Sequence, residues 1–197
     1  MRYWFPVSPA GGLQGLCRLA IALTGFHWLS ARQGLWFGVA FVSLLLTFLP
    51  ARLIRDALLA EATAVVVAVL LAAHVVFGMQ GGLYETSSVY DKLVHASGTG
   101  AVTVVLIVAT QRYDQRRGIE LPLVLSLMLV LGGAVTAGTF WELFEFAVDR
   151  TGLFAAQRGL HDTMLDLLAD TLGALLVVSA FAVKISLRRQ ATAAVPE

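Results

Sequence analysis

The chain has 197 residues, 58% of them hydrophobic and only 14% charged, where a soluble domain carries about 25% charged residues. So little solvated surface excludes a soluble globular protein and points to one integral membrane domain over residues 1–197. A net charge of +1 with no basic stripe excludes nucleic acid as a partner, and Cys17, the sole cysteine, excludes a disulfide framework and a thiolate metal cluster.

Met1 to Gly15 reads as a Pro/Gly-rich lead, with Trp4 and Phe5 suited to the membrane interface. No cleavable signal stands out, so the first apolar segment is expected to stay as an anchor or span. Leu16 to Ala31 is that segment, weakened by Arg18 and His27 and short of the ~20 residues that a span needs. Leu35 to Leu49 is strongly apolar and ends at Pro50, and Ala62 to Met79 is a clean span broken only by His74. After a polar loop from Gln80 to Tyr90 comes a span from Lys92 to Thr110, then a charged stretch from Gln111 to Glu120. Leu121 to about Val148 predicts a long helix with Pro122 in its first turn. Asp149 to Leu160 reads as a loop, and Asp162 to Leu187 as the last helix. The fold class is therefore an all-α polytopic transmembrane bundle of six spans, or five if Leu16 to Ala31 lies along the interface.

Basic residues orient the bundle. With both termini cytoplasmic, Arg2, Arg18, Arg52, Arg55, Arg112, Arg116, Arg117, Lys184, Arg188 and Arg189 fall inside, and only Arg32, Lys92, Arg150 and Arg158 fall outside. That gathers the acids and histidines toward the outer face. Glu142, Glu145 and Asp149 are spaced i, i+3, i+7, and Asp162, Asp166 and Asp170 are spaced i, i+4, i+8. Each set lines one helix face. Counting ~20 residues per span puts His95, Glu142 and Asp170 at similar depth on three helices. Carboxylates at membrane depth are costly and mark a functional site by default.

Bland readings compete at several positions. Glu145 and Asp149 suit a helix end emerging into water, and Asp162 suits a helix N-terminus. Asp170, surrounded by Leu167, Leu168, Leu172 and Leu175, fits neither role. Asp91, four residues before His95, suits an orienting carboxylate or a metal ligand, and Lys92 snorkels. His74 reads as a buried, hydrogen-bonded histidine and Trp141 as part of the aromatic belt. Gly98, Gly100, Gly132, Gly133, Gly138 and Gly173 read as sites of close helix approach.

YDKLVH at Tyr90 to His95, followed by a small-residue span, resembles the D-K-x-x-H signature of VanZ-like bacterial membrane proteins. Together with WELFEF at Trp141 to Phe146 and DTMLDLLADTLGA at Asp162 to Ala174, it is closer to the YjdF-like inner-membrane group. The resemblance covers about Ala62 to Leu187 and implies that Asp91, His95, Glu142, Glu145, Asp162, Asp166 and Asp170 are the family's polar positions. Ala96 departs from it, since relatives carry an aromatic residue after the histidine. The loop before Asp162 is also poorer in tryptophan. VanZ-like members are associated with glycopeptide resistance, and the resemblance leaves the activity open.

Two functions remain in play. In the first, His95, Glu142 and Asp170 are the catalytic set. Asp91, His95, Glu142, Glu145, Asp166 and Asp170 are the candidate ligands of a divalent metal ion that acts on a lipid or cell-envelope precursor. Glu145 and Asp166 form the rim of that site. In the second, the same residues exchange protons in a proton- or cation-coupled transporter. The cytoplasmic half of every span lacks matching polar residues, which favours the one-sided site.

Overall fold

The structure is a computed structural model that describes residues 9–87, 89–119, 121–152 and 157–193. Arg2, Trp4, Phe5, Glu120, the side chains of Arg188 and Arg189, and part of the Asp149 to Leu160 loop lie outside the described residues. Every regular element among the described residues is helical. Five stretches are long and apolar enough to cross a membrane: Gly34–Leu53, Ala57–Gln80, Tyr90–Arg117, Leu123–Asp149 and Leu160–Leu187. The helix before them, α1 (Pro9–Ser30), has the length but is not among the five. Gln14, Arg18 and His27 dilute its apolar run.

The chain divides into two compact units, Met1–Val94 and His95–Glu197. In the first, α1 packs against α2 (Gly34–Leu46) and α4 (Ala57–Ala72), around a core of Ile21, Trp28, Ala40, Ala72 and Val75. Among the described residues α1 runs from Pro9, inside the stretch read as a Pro/Gly-rich lead. Gly11 and Gly12 cost only ~1 kcal/mol each within a helix, which packing on α2 and α4 outweighs. It ends at Arg32, whose φ of 59° lets the Gln33 amide reach back to the Trp28 carbonyl at 2.8 Å.

The second apolar run is broken at Thr47 and Phe48, with Pro50 buried in the first turn of the short α3 (Leu49–Leu53). Arg18 repairs the break. Its Nε donates to Thr47 Oγ1 at 3.0 Å, its Nη2 donates to the Thr47 carbonyl at 2.9 Å, and its guanidinium lies 4.1 Å from the Phe48 ring centre. Asp56 caps α4 by accepting from the Leu59 amide at 2.9 Å.

The third run widens at its end. Ala73–Gln80 winds with i→i+5 hydrogen bonding, closed by the Gly81 amide on the Val76 carbonyl. His74 lies in this segment, and its Nδ1 is 2.9 Å from the hydroxyl of Tyr84, on the short α5 (Leu83–Thr86). Gly78 leaves the room that the Tyr84 ring fills. Tyr90 packs edge-on to Tyr84 and donates to the Ala73 carbonyl at 2.9 Å. The loop expected from Gln80 to Tyr90 is thus a small aromatic clasp carrying one helical turn.

Helix α6 (Tyr90–Arg117) passes from the first unit into the second and runs seven residues beyond the expected end at Thr110. A charged composition marks where the bilayer stops, not where the helix does. Arg116 and Arg117 suit a helix C-terminus, and Gly118, at a φ of 62°, ends it. The second unit also holds α7 (Leu123–Asp149) and α8 (Leu160–Ala193).

Three buried stripes at i, i+4 spacing face one another in the second unit: His95, Thr99, Thr103 and Ile107 on α6; Glu142, Gly138, Ala134 and Val130 on α7; Asp166, Asp170, Ala174 and Val178 on α8. Helices α6 and α8 run parallel, with α7 antiparallel between their registers. Ile107, Val130 and Val178 close one end as an apolar cluster. The opposite end is polar. On the outside, leucines, valines and phenylalanines such as Leu125, Phe144, Leu168 and Leu176 are exposed, which suits contact with hydrocarbon.

Candidate functional site

The polar end of the three-helix unit is built from four side chains. His95 is 7% exposed, Glu142 4%, and Asp166 and Asp170 2% each. His95 Nδ1 lies 3.3 Å from Asp170 Oδ1 and 3.4 Å from Oδ2, the second with hydrogen-bond alignment. On the other edge of the ring, Nε2 lies 3.6 Å from Glu142 Oε1 and 3.8 Å from Asp166 Oδ1. Three carboxylates from two helices thus surround one imidazole from a third.

Small residues make this approach possible. A Cβ at Gly138 would come within 2.8 Å of the Asp170 Cγ, and one at Gly173 within 2.8 Å of the Ala96 carbonyl carbon. Glycine lets α7 lie against the Asp170 carboxylate and lets α8 touch the α6 backbone one residue after His95. The expected roles of Gly138 and Gly173 in close helix approach are seen here, whereas Gly132 faces open space. The Ala96 backbone carries the crossing with α8.

Thr99 was not singled out from the sequence. Its hydroxyl donates to Asp170 Oδ1 at 2.5 Å, and one turn further Thr103 donates to the Thr99 carbonyl at 2.7 Å. A threonine four residues after a histidine in an apolar helix was the available signal. It was hidden because threonine satisfies itself on its own helix backbone so often.

The remaining candidates divide by exposure. Asp166 was expected at the rim and is instead as buried as Asp170. Glu145 is half-buried and accepts from Trp141 Nε1 at 2.8 Å. One ligand atom each from His95, Glu142 and Glu145 lie within 4.8 Å of one another. Asp149 closes α7 half-buried, and Asp162 sits in the first turn of α8, 3.9 Å from Arg158 Nε. Asp91, in the first turn of α6 and within the first unit, is buried with its Oδ2 3.3 Å from Lys92 Nζ. His74 lies in the aromatic clasp of the first unit.

Charge balance defines what this site needs. Residues 93–111, 123–149 and 160–183 contain no lysine or arginine, and the flanking Lys92 and Arg158 lie beside Asp91 and Asp162. Buried carboxylates this close repel unless protons or a metal ion offset their charge.

Fold and site together define a multi-span helical membrane protein with a buried histidine–carboxylate cluster. The chain belongs to the family described as "Predicted membrane protein (DUF2238)", which matches residues 12–186. An uncharacterized protein of Thermotoga maritima is 33% identical over 105 residues, covering 51% of this chain and 51% of that protein. The chain thus spans about half the length of the curated relative it matches. No solved structure matches it.

Proposed function

We propose that this is a bacterial inner-membrane protein of the YjdF-like and VanZ-like kind, with its C-terminus cytoplasmic. Near its outer face it holds a divalent metal ion and uses it on a lipid or cell-envelope substrate. The carrying observation is the set of three buried carboxylates around His95, in helix stretches (93–111, 123–149 and 160–183) without lysine or arginine. An ion there offsets the charge and polarises a substrate phosphate or activates water. One imidazole with several carboxylates suits Mn²⁺, Fe²⁺ or Zn²⁺, whereas Mg²⁺ and Ca²⁺ prefer oxygen alone. The polarity gradient supports a one-sided site over a transporter, since the opposite end of the three-helix unit is the Ile107, Val130 and Val178 cluster.

Metal analysis of protein purified in detergent tests the reading. About one divalent ion per chain is expected, lost in the Glu142→Gln variant. Metal-free, folded protein that drives pH-coupled cation flux in liposomes would overturn it in favour of transport.

A further inference from the structure

The two nitrogens of His95 face different chemistry. On the Nδ1 side stands Asp170, and both its oxygens are engaged: Oδ1 accepts from Thr99 at 2.5 Å, and Oδ2 is aligned with Nδ1 at 3.4 Å. Gly138 presses on the same carboxylate from α7, where even a Cβ would come within 2.8 Å of Cγ. On the Nε2 side stand Glu142 Oε1 at 3.6 Å and Asp166 Oδ1 at 3.8 Å. Glu142 Oε1 is buried, faces the ring nitrogen, and accepts no hydrogen bond among the described residues. Atoms bound at ~2.1 Å to one ion stand about 3.0–3.4 Å apart, so the Nε2 side needs only a small contraction. Glu145 is close enough to add a further oxygen.

We infer that Nε2 of His95, with Glu142 and Asp166, takes the metal ion, while Nδ1–H donates to Asp170, which Thr99 and Gly138 hold in place. Asp170 and Thr99 are then positioning residues and not ligands. This inference rests on the metal reading above and assigns its parts. A metal-bound histidine commonly gives its other N–H to a carboxylate, which fixes the tautomer and raises the basicity of the ligating nitrogen. Thr99, donating to Asp170, keeps that carboxylate aimed at the ring.

The test uses the full chain in detergent micelles, titrated with Mn²⁺ and read by the paramagnetic resonance of free Mn²⁺. A second readout is the electron spin-echo modulation of the remote imidazole nitrogen in Cu²⁺-loaded protein. Wild type is expected to bind one Mn²⁺, and Glu142→Gln to lose measurable binding. Asp170→Asn and Thr99→Val should keep a stoichiometry of one with affinity about 10- to 100-fold lower, and Thr99→Ser should restore it. The remote-nitrogen signal should persist but shift in Asp170→Asn, an effect that loosened packing alone does not produce. Loss of stoichiometry in Asp170→Asn equal to that in Glu142→Gln makes Asp170 a ligand and overturns the assignment while the metal reading stands. Wild-type affinity in both Asp170→Asn and Thr99→Val overturns it too. Folded wild type that binds neither Mn²⁺ nor Cu²⁺ overturns both.

Discussion

In the first unit, Arg18 satisfies the broken end of α2 through Thr47, and His74 meets the Tyr84 hydroxyl. Tyr90 donates to the Ala73 carbonyl. Each of these groups meets a partner of complementary chemistry at 2.9–3.0 Å, and each sits where a helix is interrupted or widened. In the second unit the helices are long and unbroken, yet Glu142, Asp166 and Asp170 crowd one imidazole at 3.3–3.8 Å. The first pattern is how apolar surroundings accommodate a polar group needed for backbone shape. The second gathers three carboxylates at one imidazole, an arrangement that no backbone need explains. Polarity in a membrane bundle therefore points to function where it gathers without a backbone need, not merely where it is buried.

The contrast breaks most sharply if the second unit cannot close. Gly173→Val puts a side chain against the Ala96 carbonyl, and overpacking of this kind costs ~3 kcal/mol. It should lower the midpoint of unfolding in mixed micelles, followed by tryptophan fluorescence, and abolish metal binding with it. Replacing Arg18 by methionine should remove ~2 kcal/mol, because hydrogen bonds from a charged donor are lost and a helix-end carbonyl is left bare. Metal stoichiometry should not change. A lost ion in Arg18→Met would show that the polar groups of the first unit are not merely structural. Arg158→Ala should be the smallest effect, within about 0.5 kcal/mol, since its 3.9 Å approach to Asp162 is substantially exposed.

The helices were legible in the sequence because apolar runs of span length leave few alternatives. Their ends were not, because helix and bilayer boundaries obey different rules: α6 continues through Arg112, Arg116 and Arg117, where the apolar run has stopped. The break at Thr47 and the widened turn at Ala73 were also hidden, since each depends on a distant side chain, Arg18 in one case and Tyr84 in the other. Counting ~20 residues per span aligns His95, Glu142 and Asp170, and their side chains meet in the structure. Asp166, read as part of the rim, is as buried as Asp170, since a residue count along the helix does not say which way a helix face turns. Thr99 stayed invisible because its partner is 71 residues away.

The position of the acidic pairs along the chain bears on biogenesis. Glu142 is on α7, and Asp166 and Asp170 are on α8, the last helix, so His95 and Glu142 leave the ribosome before the cluster's other half exists. At ~5–20 residues per second, the ten residues 150–159 and all of α8 follow within seconds. During that interval Glu142 has an incomplete set of partners, on a helix apolar enough to cross a membrane. Delivery of α7 and α8 to the lipid as a hairpin, rather than one after the other, removes that exposure. The short connection between them makes such joint insertion the natural route.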